Sequence, residues 1–176
     1  MIISLIGFMG CGKSSVGRRL SELLCCPFMD LDDVIEQQTG RSIPDIFATD
    51  GEAAFRQMEM DTLTTIVCKS PSEFGKLILS LGGGTVTQEK CAEMVKENTV
   101  CVYLRTSVDA LVARLSDEAA GRPLLQGTDL RTRIETLMVQ RSHIYESTAH
   151  HIIDTDGVSI NEVAQSILKT VRDGIF

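Results

Sequence analysis

The sequence predicts an α/β domain in three layers, built on a five-stranded parallel sheet, and three observations carry that prediction. Five short apolar runs, at 2–6, 27–29, 77–81, 99–104 and 151–153, are continuous rather than alternating, as expected of strands covered on both faces. Helical patterns separate them, which implies βαβ units with right-handed crossovers. The first run leads straight into Gly7-Phe8-Met9-Gly10-Cys11-Gly12-Lys13-Ser14, a strand–loop–helix signature of phosphate binding.

The elements follow in order. In G-x-x-x-x-G-K-S, backbone N–H groups turn inward around a polyphosphate, and the next helix points its positive end at the anion. Gly10, Cys11, Gly12, Lys13, Ser14 and Ser15 are therefore the expected nucleotide contacts. Lys13 would reach the β- and γ-phosphates, and the Ser14 hydroxyl would ligate Mg²⁺.

The second strand runs into Asp30-Leu31-Asp32. Residues two apart in extended chain point the same way. The pair suits metal and proton chemistry, one carboxylate holding Mg²⁺ through water and the other orienting a hydroxyl. The competing reading makes Asp30 a helix cap, with Asp32 and Asp33 in an acidic first turn. Further on, Thr49-x-x-Glu52 reads as a capping box. In the helix it would start, Arg56 shares a face with Met60, Leu63 and Val67, and Glu59 is its candidate partner.

The third strand ends in Leu81-Gly82-Gly83-Gly84-Thr85. Three ordered glycines make sense where a ligand approaches the backbone closely, and equally as a flexible turn. Beyond the fourth strand, residues 116–128 show little periodicity and carry Gly121-Arg122-Pro123-Leu124-Leu125. This reads as a mobile loop able to close over a nucleotide with one arginine. Arg141 falls on the apolar stripe of Leu130, Ile134, Leu137, Met138 and Tyr145. Together with Arg56 it makes a carboxylate clamp credible. After the fifth strand, Ser159-x-x-Glu162 is a second capping box. It opens a stripe of Ile160, Val163, Ala164, Ile167, Leu168 and Val171.

Bulk properties narrow the function. A chain of 176 residues with 43% hydrophobic content and a mean hydropathy of +0.09 fits one compact domain. A net charge of −7 argues against nucleic-acid or anionic-membrane partners. No apolar run approaches the roughly 20 residues that span a bilayer, and no signal peptide is evident, so a cytoplasmic monomer is expected. Of the six cysteines, Cys68 and Cys101 read as core residues, and Cys25-Cys26 as reduced packing thiols. Cys11 is a plausible oxidation-sensitive position, and His143, His150 and His151 form no ligand set.

The ordered set of motifs resembles shikimate kinase. It comprises G-F-M-G-C-G-K-S-S-V-G at 7–17, M-D-L-D at 29–32 and T-G-R-S-I-P-D-I-F-A-T-D-G-E-A-A-F-R at 39–56. L-G-G-G-T-V at 81–86, G-R-P-L-L at 121–125 and M-V-Q-R-S-H-I-Y at 138–145 complete it. The resemblance implies a P-loop kinase fold with strand order 2-3-1-4-5, a substrate-binding region over about 31–60 and a lid over about 110–125. It implies transfer of a phosphoryl group from ATP, with Mg²⁺, to the 3-hydroxyl of shikimate, a step of aromatic amino-acid biosynthesis. By the same resemblance Asp32 holds the reacting hydroxyl, and Asp30 joins Ser14 at the metal. Arg56 and Arg141 bind the carboxylate, Gly82, Gly83 and Gly84 contact substrate, and Phe47 and Phe55 line its ring. Arg122 meets the phosphates and Arg114 lies on adenine, with Asp154-Thr155-Asp156-Gly157 as the adenine loop. Lys13, Asp32 and Arg122 are the catalytic set. An aspartate near two arginines is expected to stay ionised at neutral pH, which makes orientation its larger role.

Other readings predict other residues. A gluconate kinase is not expected to carry D-G-E-x-x-F-R followed by L-G-G-G. A nucleoside-monophosphate kinase needs a base pocket, and a GTPase needs N-K-x-D, which is absent. A non-catalytic relative would have lost Lys13, Asp32 or an arginine.

Overall fold

The computed structural model describes residues 1–73, 75–116 and 129–173. Among them, five parallel strands form one sheet in the order β2-β3-β1-β4-β5. The strands are β1 (Ile2–Ile6), β2 (Phe28–Asp30), β3 (Leu77–Ser80), β4 (Val100–Arg105) and β5 (His151–Asp154). This is the order the motif set implies. Each apolar run becomes a strand, with ends that differ by at most one residue.

Burial on both faces explains the continuous runs of β1, β3 and β4; β2 is only partly buried, and in the edge strand β5 Ile152 is exposed. Ile2, Ile6, Leu77, Leu79, Cys101 and Tyr103 point into one core, and Ile3, Leu5, Ile78, Val102 and Leu104 into the other. The first core is closed by α2 (Leu31–Thr39), α3 (Ile43–Thr49), α4 (Gly51–Glu73) and α5 (Glu89–Asn98). The second is closed by α1 (Lys13–Leu24), α6 (Val108–Leu115) and α8 (Ile160–Asp173). Helix α7 (Leu130–Thr148) gives Tyr145 to the first core and Ile134 and Leu137 to the second. Burying each such side chain contributes roughly 1.5–3 kcal/mol before entropy is counted.

The helix ends correct two sequence expectations and bear out a third. Ser159 and Glu162 form the expected reciprocal cap: Ser159 N donates to Glu162 Oε2 at 3.0 Å, and Glu162 N to Ser159 Oγ at 3.3 Å. Thr49 and Glu52 do not. Thr49 is the last residue of α3, where its hydroxyl donates to the Asp45 carbonyl, and Glu52 accepts from Arg56 instead. The cap that matters there is Ser42, which accepts from Asp45 N. Ile160 is also not a core residue. It is 49% exposed at the start of α8, while Val163, Ala164, Ile167 and Val171 are buried.

The cysteines are all free. Cys101 is buried as expected, but Cys68 is exposed, because α4 turns it away from the face that holds Ile66 and Val67. Cys25 is also exposed rather than packed, and closes α1 in the left-handed conformation at φ 48°. Residues 117–128, and with them Gly121-Arg122-Pro123-Leu124-Leu125, lie outside the described residues. Of the expected lid over 110–125, the residues up to 115 belong to α6. No helix among the described residues is long and apolar enough to cross a membrane.

Candidate active site

A cleft of about 1170 Å³ opens at the carboxyl ends of the strands, where ligands bind in open α/β sheets. One wall is the loop after β1. Its last residue, Gly12, caps α1 at φ 97°, a conformation in which a side chain is strained, and no side chain satisfies the first N–H groups of α1. Lys13 is buried and folds back along the loop. Its Nζ donates to the carbonyls of Gly7 and Phe8, both at 2.9 Å, and lies 3.7 Å from Cys11 Sγ. Gly10, Cys11, Gly12, Lys13, Ser14 and Ser15 all line the cleft.

Asp30 meets both readings of its position. One carboxylate oxygen accepts from Asp32 N at 3.1 Å and caps α2. The other accepts from Ser14 Oγ at 2.6 Å. A hydroxyl and a carboxylate, both hard oxygen donors, suit Mg²⁺, which keeps several waters and takes one or two protein ligands beside phosphates. Helix α2 starts at Leu31, so Asp30 and Asp32 are not two residues of one extended strand. They reach the same cleft because the cap turns the chain.

Asp32 departs from expectation in its charge. Its pKa is raised from 3.8 to about 7, first by burial, then by the neighbouring carboxylates of Asp30 and Glu59, with Lys13 and Arg56 opposing. The expected stabilisation by two arginines fails for a physical reason. Arg56 is already held by Glu59 and Glu52, and Arg141 is not among the charges that bear on Asp32. Its Oδ1 is buried with no hydrogen-bond partner, an orphaned acceptor beside the phosphate loop.

Arg56 is indeed on an inward face of α4, and Glu59 is its partner. Glu59 is fully buried, paired with the Arg56 guanidinium, and accepts from Thr85 Oγ1 at 2.5 Å. Glu52 adds a contact at 3.2 Å from the exposed side. Phe47 and Phe55 stack at 4.9 Å between ring centres and line the cleft beside Arg56.

The triple glycine is ordered and shaped by three different neighbours. A Cβ on Gly82 would lie 2.8 Å from Glu59 Oε1 and 3.0 Å from Asp32 Oδ1. On Gly83 it would lie 3.0 Å from Met9 N in the phosphate loop, and on Gly84 2.4 Å from Arg56 Nη2. These glycines are required for space, not for backbone angle, since none of the three has positive φ.

Arg141 is buried on α7 and stands behind this arch, its Nη1 donating to the Gly83 carbonyl at 3.3 Å; it is not on the cleft wall itself. Arg114, from α6, reaches the phosphate loop, where Nη1 donates to the Cys11 carbonyl at 3.2 Å. The far end of the cleft is lined by Thr155, Val158, Ser159 and Ile160. Arg105 pairs with Asp154 at 2.6 Å, and Asp156 accepts from Ser107 N at 3.1 Å, which fixes the loop after β5. Sequence reasoning gave no role to Thr85, or to Tyr145, whose hydroxyl also donates to the Gly83 carbonyl. The available signals were a hydroxyl directly after the glycines, and an Arg–x–x–x–Tyr spacing that puts both side chains on one helix face.

Known proteins agree with this architecture. The family model described as shikimate kinase matches residues 9–172. A shikimate kinase of Acinetobacter baylyi is 41% identical over 169 residues, covering 96% of this chain and 91% of that protein. A solved shikimate kinase from Acinetobacter baumannii, in complex with shikimate, superposes with a TM-score of 0.91 at 36% identity, covering 98% of this chain and 93% of that one. The enzyme from Aquifex aeolicus gives 0.81 at 32% identity, with coverages of 99% and 98%. With the fold, the phosphate loop and the family match in agreement along nearly its whole length, the chain belongs to the shikimate kinase family.

Proposed function

We propose that this chain transfers the terminal phosphoryl group of ATP to the 3-hydroxyl of shikimate, releasing ADP and shikimate 3-phosphate. The observation that carries this reading is one arch of backbone, Gly82–Gly84, that touches the three parts such a reaction needs. Those parts are a phosphate loop at Met9, an orphaned carboxylate at Asp32 and a cleft-facing guanidinium at Arg56.

Phosphoryl transfer is catalysed mainly by alignment and charge neutralisation. The loop amides, Lys13 and Ser15 hold the polyphosphate, and Arg122, outside the described residues, is assigned to the transferring group. Ser14 and Asp30 hold Mg²⁺, which neutralises phosphate charge when bound. Arg56 holds the substrate carboxylate from the cleft wall, and Arg141 reaches it from behind the Gly83 arch. Of the five N–H donors of Arg141, those not used by Gly83 serve the acid. Phe47 and Phe55 pack on the ring and exclude water. Asp32 Oδ1 accepts the hydrogen bond of the reacting hydroxyl and orients its oxygen at the phosphorus. A carboxyl pushed up to about 7 is also a competent proton acceptor near neutral pH, so Asp32 both orients and takes the proton. Arg114 and the loop at 154–157 hold adenine. In this reading the enzyme is a cytoplasmic monomer.

The test is ADP release with ATP and Mg²⁺, offering shikimate, gluconate and nucleoside monophosphates separately. ADP formed with shikimate alone supports the reading. Turnover with gluconate or a nucleotide overturns the assignment of Arg56 and Arg141, and no turnover with any acceptor overturns the activity.

A further inference from the structure

Tyr145 is fully buried in α7, one turn beyond Arg141, its ring 5.2 Å from that of Tyr103. Its hydroxyl donates to the Gly83 carbonyl. Arg141 Nη1 donates to the same carbonyl at 3.3 Å. Phenol and guanidinium therefore share one acceptor behind the glycine arch. On its other side Gly83 lies against the phosphate loop, with room for no Cβ beside Met9 N. A guanidinium on a long side chain holds one direction only if something fixes it.

We infer that Tyr145 is a positioning residue for the acid substrate: its hydroxyl locks the Arg141 guanidinium and the Gly83 carbonyl into one arrangement, so that the carboxylate-binding arginine keeps its register with the phosphate loop. The inference rests on the assignment of Arg141 to the substrate carboxylate. Burial pushes the Tyr145 phenol above its ordinary range, so the hydroxyl remains a donor at every pH at which the enzyme works. The lock is constant, in contrast to Asp32.

Tyr145→Phe isolates the hydroxyl. The ring still packs on Tyr103, and the Gly83 carbonyl keeps its Arg141 donor, so no buried acceptor is orphaned. The expected result is a shikimate KM raised roughly 3- to 10-fold, as for loss of one neutral hydrogen bond. The KM for ATP and the pH midpoint of the rate should stay at their parent values. In an Arg141→Ala background the same change should add less than about twofold, because residues acting through one group are not additive. Unchanged shikimate KM in Y145F, with a raised KM in R141A, overturns the inference and leaves the clamp standing. An additive double variant overturns it as well, since the tyrosine would then act without the arginine. Unchanged KM in R141A overturns the clamp and this inference with it.

Discussion

Glu59 lies fully buried against the guanidinium of Arg56, one turn earlier in the same helix, and the pair forms the floor of the cleft. Glu59 neutralises Arg56 and so weakens its pull on Asp32, and it also raises the Asp32 pKa directly. Glu59→Gln should therefore do two things. It should cost roughly 2 kcal/mol of stability, as for a charged hydrogen bond lost in a buried setting. It should also move the midpoint of the rate–pH profile below that of the parent, because one carboxylate beside Asp32 is gone. Chemical denaturation and a kcat/KM profile across pH 5–9 measure the two effects.

Asp32 itself has a pH signature. A carboxyl whose folded pKa is raised binds its proton more tightly when folded. Its contribution is greatest below the ordinary 3.8, declines as pH rises towards about 7, and stays low above that. Asp32→Asn removes this slope, so the thermal midpoint of the variant minus that of the parent should grow more positive from pH 4 to pH 8. Turnover should be nearly abolished while ATP binding, read by calorimetry, stays near the parent value. A stabilised, inactive protein is the expected trade-off at a strained functional site.

Asp30 caps a helix with one oxygen and accepts from the Ser14 hydroxyl with the other, where Mg²⁺ is proposed to bind. Asparagine caps helices about as well as aspartate does. Asp30→Asn should thus keep stability within about 0.5 kcal/mol, whereas Asp30→Ala should lose about 1 kcal/mol. Both should need a higher Mg²⁺ concentration for half-maximal rate. Thermal melts and a Mg²⁺ titration of turnover separate the two duties.

Gly84→Ala places a methyl group 2.4 Å from Arg56 Nη2. The guanidinium is the end of a flexible side chain, so the fold should survive with a small drop in melting temperature. The displaced arginine should raise the shikimate KM by about tenfold, equivalent to roughly 1.4 kcal/mol, with little change for ATP. Steady-state kinetics with each substrate varied in turn decides it.

Cys25 occupies a left-handed helix end that glycine usually fills. Cys25→Gly should stabilise the protein by about 0.5–1 kcal/mol. The denaturant midpoint should rise with no change in slope, and activity should be unaltered.

The sheet was legible in the sequence because strands buried on both faces are apolar at nearly every position, as Ile2–Ile6 is apart from Ser4, whose hydroxyl is paired with that of Thr99. The phosphate loop was legible because its function dictates its residues. Asp30, Arg56 and the glycines could be picked out by type and place. The raised pKa of Asp32 could not, because it depends first on burial and then on the Asp30 and Glu59 carboxylates that folding brings beside it. The false capping box at Thr49 failed for a similar reason: the pattern is local, but Ser42 had already set the frame of α3, leaving Thr49 inside a helix. Tyr145 was read as part of an apolar stripe, and its hydroxyl acquires a partner only when α7 docks against Gly83.

The arch at Gly82–Gly84 has one more implication, for inhibitor design. Each of its three positions abuts a different part of the cleft, so a substitution at any of them presses on the Glu59 and Asp32 carboxylates, the phosphate loop or the Arg56 guanidinium. A compound that takes its grip from the backbone of these residues leaves the enzyme little room for resistance. Any side chain large enough to evict the compound would first press on those same groups.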